Sequence, residues 1–301
     1  MKFLMFSDLH HYPGVYDGGE GDLEILQKAA EENGCEMMIH AGDFCHGPST
    51  CIDYVKAYND FHIPSYHCLG NHDSDNTSFE ETLKAYNMPA DHYYFDKGGY
   101  RFIITNPNCY KDGEDYIPYS LGNYYSHPKT REFMPPEQIE WIKETIDSSP
   151  YPCILFSHPS FERSNGVKNR NEILKVIDDA NKKKKHSVIM CINGHHHRDF
   201  VRVLNGVIYW DVNSVSYDYI DNPHELFPEE YRKKFSAAKH MLVYNDPLYA
   251  IVTLEGTRIS VQGCESSLFM GVDREKSGNP VYDDAARPVT ASIQSFDITL
   301  N

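Results

Sequence analysis

Five clusters of metal-compatible side chains, each directly after a short apolar run, punctuate the first two-thirds of the chain. They are Asp8 with His10; Gly42 with Asp43; Gly70, Asn71, His72 and Asp73; His158 alone; and Gly194, His195, His196 and His197. Two carboxylates (Asp8, Asp43), one amide oxygen (Asn71) and four imidazoles (His10, His158, His195, His197) make a mixed nitrogen and oxygen donor set, which suits Mn, Fe or Zn and needs no thiolate. That is enough for two ions. With Asp43 shared between them, a pair about 3.5 to 4 Å apart can grip both the attacking and the leaving oxygen of a phosphoryl displacement. One His or Asp after a strand is ordinarily a turn residue or a cap; recurrence at five strand ends carries the reading.

Residues so far apart share a site only if the fold brings strand ends together. From residue 2 to about 200, short apolar runs alternate with amphipathic segments, the pattern of an α/β fold with helices packed on a sheet. Strands are expected at 2–7, 36–40, 63–69, 153–157 and 187–192, and helices at 21–32, 50–60, 78–86, 135–146 and 171–181. Ser78 and Glu81 have capping-box spacing. Hairpins are expected at 93–95 with 100–105 and at 251–254 with 258–261, and two more strands after Asp199. In such sheets ligands bind beyond the carboxyl ends of the strands, where all five clusters fall. Gly42, Gly70 and Gly194 would let the chain turn sharply there. Residues 106–134 break the rhythm and read as a lid-like insertion. Its tyrosines (Tyr110, Tyr116, Tyr119, Tyr124, Tyr125) either stack on a nucleobase or pack the loop, and packing is favoured. The division expected is a catalytic core over 1–215 with a β-containing extension over 216–301 packed on it.

The 301 residues carry 44 acidic against 28 basic side chains, a formal net charge of −16. Non-specific nucleic-acid binding depends on counterion release by Lys and Arg, so a nuclease or DNA binder is disfavoured. Two divalent ions would nonetheless outweigh two carboxylates and a bridging hydroxide, and more distant carboxylates are screened beyond about 8 to 10 Å. The apolar run at the start is too short for a signal peptide or a membrane span, so a cytoplasmic protein is expected. The eight cysteines show no C-x-x-C spacing and read as reduced core thiols.

The ordered blocks D-x-H, G-D, G-N-H-D, a lone His and G-H-x-H resemble the calcineurin-like metallophosphoesterase superfamily over roughly residues 2–215. The resemblance implies a four-layer α/β/β/α sandwich holding two divalent metal ions, Mn, Fe or Zn. It further implies that Asp8, His10 and His197 hold one ion, that Asn71, His158 and His195 hold the other, and that Asp43 is shared. A hydroxide between the ions would be the nucleophile, and His72, supported by Asp73, would protonate the leaving oxygen. Departures narrow the subclass. The arginines of the protein serine/threonine phosphatase branch are missing around Gly42 and Gly70. His46 stands where the purple acid phosphatase branch has Tyr, and His10 supplies a ligand that branch lacks. The remainder looks more like the class III cyclic-nucleotide phosphodiesterase and glycerophosphodiesterase neighbourhood, also through Gln138, Trp141 and Ile142 ahead of Ile154–His158.

The function expected is metal-dependent hydrolysis of a small phosphate mono- or diester, a nucleotide among the options, with no membrane partner and the oligomeric state left open. His46, His196 and Asn108 are candidates to touch substrate; the bland reading of each is a solvated or supporting residue. His11 is treated alike, and Arg163 and Asn123 are further polar candidates with no fixed direction. His40 and His67 lie in no block and read as structural. A metal-binding scaffold without catalysis is the rival from another class, and the intact His72–Asp73 pair speaks against it.

Overall fold

The computed structural model describes residues 1–16, 19–282 and 287–301. The chain opens with three strand–helix units: β1 (Lys2–Phe6), α1 (Asp22–Glu32), β2 (Met38–His40), α2 (Ile52–Asn59), β3 (Ser65–His67) and α3 (Phe79–Ala85). The hairpin of β4 (Tyr93–Lys97) and β5 (Tyr100–Ile104) leads into a small hairpin, β6 (Cys109–Asp112) and β7 (Asp115–Pro118), within the insertion. Then come α4 (Pro136–Asp147), β8 (Cys153–Ser157), α5 (Arg170–Lys183), β9 (Val188–Asn193), β10 (Phe200–Leu204) and β11 (Val207–Asp211). The remainder holds β12 (Tyr217–Tyr219), α6 (Glu229–Lys234), β13 (Met241–Val243), β14 (Ala250–Glu255), β15 (Arg258–Gln262) and β16 (Phe296–Thr299).

Two six-stranded sheets result, ordered β16-β15-β14-β1-β2-β3 and β10-β11-β9-β8-β5-β4. Side-chain alternation explains why they stack. Phe3 and Met5 of β1 enter a core shared with Phe102, Ile154, Phe156 and Trp210 of the second sheet, while Leu4 and Phe6 face Leu23, Leu26, Val55 and Tyr58 on α1 and α2. Phe3 meets Phe102 edge-on across the sheets, with ring centroids 5.8 Å apart. Leu155 and Cys191 face outward to Ile139, Ile142, Ile173 and Ile177 on α4 and α5. Strands apolar on both faces therefore sit between two helix layers, giving the α/β/β/α order.

β14, β15 and β16 add directly to the first sheet: β14 pairs antiparallel with β1, so Lys2 lies opposite Thr253 and Met5 opposite Ala250. At α3 the Ser78 hydroxyl accepts the Glu81 N–H at 3.4 Å and donates to the Glu81 carboxylate at 2.7 Å, so that carboxylate meets the hydroxyl rather than a backbone N–H. In the insertion Tyr119 and Tyr124 are buried, as loop packing requires, Tyr110 stacks on His127, and Tyr125 stays exposed. No helix among the described residues is long and apolar enough to cross a membrane.

Candidate metal centre

Parallel registry sets the stage: Phe6 lies beside His40 and His40 beside His67, so the first three strands end level. In the facing sheet Ser157 pairs with Asn193 at the ends of β8 and β9. Five loops therefore leave from one edge of the sandwich. They are laced together. The Asp8 N–H donates to the Gly42 carbonyl at 3.0 Å and the His10 N–H to the Asp43 carbonyl at 2.9 Å. The His72 N–H donates to Asp43 Oδ1 at 2.8 Å, and the His195 N–H reaches across the sheets to Asp8 Oδ2 at 3.0 Å.

The backbone is strained where the donors sit. Asp8 (φ 52°), His10 (49°), Asp43 (53°), His195 (69°) and His197 (49°) all adopt the left-handed conformation. Each such residue costs about 1 to 3 kcal/mol and persists only where its surroundings over-determine it, typically at functional sites. Gly42, at φ 99°, provides the sharp turn expected of it, whereas Gly70 and Gly194 do not have positive φ. Their job is close approach: a Cβ on Gly70 would collide with the Asp43 carboxylate, and one on Gly194 with Ser7 and Asp8.

Asp8, His10 and His197 form one group of donors, and Asp43, His158 and His195 another, with the donor atoms of each within 4.8 Å of one another. Asp43 Oδ2 lies 3.0 Å from His158 Nε2 and 3.7 Å from His10 Nε2, between the two groups. His197 Nε2 is 3.3 Å from Asp8 Oδ1 and 3.0 Å from His10 Nε2; His158 Nε2 is 3.2 Å from His195 Nδ1.

The donor chemistry fits cations. The Ala41 carbonyl accepts from His158 Nδ1 at 2.7 Å, and the Tyr217 carbonyl from His197 Nδ1 at 2.6 Å. A carbonyl can only accept, so in each neutral ring the proton sits on Nδ1 and Nε2 turns a lone pair inward. Those lone pairs face carboxylate oxygens, a repulsive arrangement that a cation relieves. Among the described residues Asn71 Oδ1 is buried without a hydrogen-bond partner, an acceptor that a cation would satisfy. The same field acts on protons. Burial disfavours the His158 imidazolium, yet the Asp43 and Asp8 carboxylates push its pKa up to about 9. Burial works against the Asp43 anion too, but His158 and His72 hold its carboxyl well below the usual range.

His72 does not rest on Asp73. Asp73 accepts the backbone N–H of Gly70 (2.8 Å), Asp43 (3.0 Å) and Cys45 (3.2 Å) and the Tyr86 hydroxyl (2.5 Å), so it ties the second and third loops together. Burial raises it to about 7. The partner of His72 Nδ1 is Asp75 Oδ2, at 2.7 Å. His72–Ser74 form a 3₁₀ turn, in which residues three apart share a face, so Asp75 and not its neighbour in sequence meets the imidazole. Against its burial, hydrogen bonds from His46, His72 and Tyr124 push Asp75 down to about 2. Burial lowers the His72 pKa, and Asp43 and Asp75 more than reverse this, leaving it above its ordinary value.

Of the residues expected to touch substrate, His46 stands at the centre, 3.3 Å from His10 Nδ1 and 3.2 Å from Asp75 Oδ2. His196 lies beside a cavity next to the cluster. Asn108 is spent on structure, its amide donating to the Leu69 carbonyl at 2.7 Å and to Asn106 Oδ1 at 2.9 Å. His11 stacks on Tyr54 with ring centroids 3.6 Å apart. His40 and His67 form a buried relay beneath Asp43: the Gly42 N–H donates to His40 Nδ1 (3.1 Å), His40 Nε2 to His67 Nδ1 (2.6 Å), and His67 Nε2 to Asn59 Oδ1 (2.7 Å). Sequence reasoning missed Asp75, for which its spacing from His72 was the available signal. It also missed Glu132, whose carboxylate lies 3.6 Å from His195 Nε2, and Tyr219, whose ring lies 5.2 Å from that of His197.

A family model for calcineurin-like phosphoesterases matches residues 1–199. Among solved structures, a dimetal phosphatase from Danio rerio has a TM-score of 0.64 at 13% identity, covering 100% of this chain and 99% of that one. The anchor protein GAP50 of the Plasmodium inner membrane complex has a TM-score of 0.54 at 14% identity, covering 100% of this chain and 88% of that one. At such identities the likeness is one of fold. No curated protein sequence matches the chain.

Proposed function

Because the chain belongs to the calcineurin-like phosphoesterase family, we propose that it hydrolyses small phosphate mono- or diesters at a dinuclear centre. In this reading Asp8, His10 and His197 hold one cation, Asn71, His158 and His195 hold the other, and Asp43 is shared. Two divalent cations so held supply a lowered pKa for water and an electrostatic grip on phosphoryl oxygens. The chain's own residues do the rest. The Ala41 and Tyr217 carbonyls fix the tautomers of His158 and His197, so that Nε2 of each stays available. Glu132 faces the outer nitrogen of His195. His72, with Nδ1 held on Asp75, keeps its other nitrogen for protonating the leaving oxygen. His46, touching both His10 and Asp75, is placed to meet the ester.

The observation that carries this reading is the crowding of carboxylate and imidazole donor atoms into two groups on either side of Asp43. All eight cysteines are free thiols, seven of them buried, which suits a reducing cytoplasm. Asp43→Asn tests the centre. Turnover of bis-p-nitrophenyl phosphate with added Mn²⁺ is expected to fall roughly 100-fold or more, with less metal retained on elemental analysis. Unchanged turnover would overturn the reading.

A further inference from the structure

A cavity of about 630 Å³ opens beside the metal-ligand cluster, lined among others by Arg163, His196, Arg198, Tyr219, Asp221 and Arg274. It adjoins the cluster directly. His196 stands between the donors His195 and His197, and the Tyr219 ring lies 5.6 Å from that of His10 and 5.2 Å from that of His197.

Three arginines, Arg163, Arg198 and Arg274, stand among its described lining residues in a protein of net charge −16. Arg198 and Arg274 both pair with the buried Asp218, Arg198 NH1 at 2.6 Å, so one carboxylate serves two guanidinium groups. Arg274 Nε also donates to the Pro280 carbonyl at 2.9 Å, and Arg198 NH1 to the His197 carbonyl at 2.7 Å. These bonds hold the planar forks in place. Arg163 is positioned by Asn165 at 3.1 Å and by Asp211 at 3.5 Å, and Asp211 is shared with Arg287. Arg198 Nε and His196 Nε2 are buried here with no hydrogen-bond partner among the described residues. Buried groups left without a partner show that the chain itself does not fully satisfy the polar side chains of this wall. Asp221 is the one carboxylate among the described lining residues.

We propose that this cavity is a recognition subsite for a second anionic group, a phosphate or a carboxylate, on the ester whose phosphoryl group sits at the metal centre. The proposal rests on the phosphoesterase reading above and adds a substrate class to it: small esters with two anionic groups, the reacting one on the metal side and the other held by Arg198 and Arg274. Bidentate recognition by preorganised guanidinium groups, rather than a general positive field, would set the preference. Long-range attraction cannot, since the surface as a whole repels anions.

The test has two arms. In the first, kcat/KM is compared for glucose 1-phosphate against glucose 1,6-bisphosphate and for phenyl phosphate against 4-carboxyphenyl phosphate. The two-anion member of at least one pair is preferred, and Arg274→Gln lowers that preference about tenfold, the loss of one charge-assisted hydrogen-bonding partner. A preference in the first pair alone identifies the subsite as one for phosphate, and in the second alone as one for carboxylate. In the second arm, pyrophosphate binding to the chelator-treated protein is measured by calorimetry. Arg274→Gln weakens it about tenfold, and Arg258→Gln, an exposed arginine on β15 paired with Asp297, leaves it unchanged. Asp221→Asn tightens it, a gain that misfolding cannot imitate. Turnover of every ester without a two-anion preference, together with pyrophosphate binding indifferent to Arg274 and Asp221, overturns the subsite. Failure of the phosphoesterase reading looks different: no ester is turned over, while Arg274-dependent pyrophosphate binding persists.

Discussion

At the scale of residues, the division of labour between Asp73 and Asp75 has the sharpest consequences. Asp73 is fully buried and accepts three backbone N–H groups and a hydroxyl, so its role is to hold two loops in register. Asp75 accepts from His72, His46, Tyr124 and Tyr125, and in the proposed mechanism it would act through the His72 imidazole it holds. Asp75→Asn is therefore expected to slow hydrolysis of alkyl phosphates, whose leaving oxygen needs a proton, much more than that of p-nitrophenyl phosphate, whose leaving group needs little. Asp73→Asn should instead lower unfolding stability by about 2 to 4 kcal/mol in urea titrations and affect both substrates alike. A leaving-group dependence seen with Asp73→Asn and absent with Asp75→Asn would assign the positioning role the other way. His72→Ala should share the Asp75→Asn signature.

At the scale of elements, the helices that carry no ligand still report on the fold around the site. Asp22 begins α1, where a carboxylate suits the helix dipole, but burial and the nearby Asp246 raise its pKa to about 6. An acid whose folded pKa lies above its unfolded value binds its proton more tightly when folded. Between about pH 4 and 6 stability therefore falls as pH rises, and above 6 the penalty is fully present. Asp22→Asn removes that slope and is expected to stabilise the protein by at most about 3 kcal/mol at pH 7.5 and by roughly half as much at pH 5, before solvent screening is allowed for. Urea unfolding at the two pH values measures it, and an unaltered pH slope would refute it. The loops at the site follow another rule: Gly70 and Gly194 are there because a side chain would occupy the space of Asp43 and Asp8.

At the scale of the whole molecule, the last third of the chain is joined to the first strand. Ile259, Val261, Ile293 and Leu300 share the core that Phe3 and Met5 enter, and β14 covers one edge of β1. Removing residues 250–301 would expose that edge and open the core. The truncated chain is expected to lose its cooperative thermal transition, and a shortened protein melting like the full one would contradict this. Much of the architecture was legible beforehand, because apolar period and turn chemistry are local: the helices at 21–32 and 135–146, the β4–β5 and β14–β15 hairpins and the five donor clusters all follow from neighbouring residues. The sequence by itself determined which side chains could bind cations and that they follow strands. Tertiary structure alone decided the rest. It selected Asp75 over Asp73 for His72, turned the Asn108 amide toward Leu69 and Asn106, brought Glu132 from the insertion to His195, and set Arg198 and Arg274 about Asp218. Such pairings depend on the direction of a side chain and on the meeting of segments distant in the chain. Neither is encoded in local periodicity; both emerge only when two sheets pack and buried polar groups must find partners.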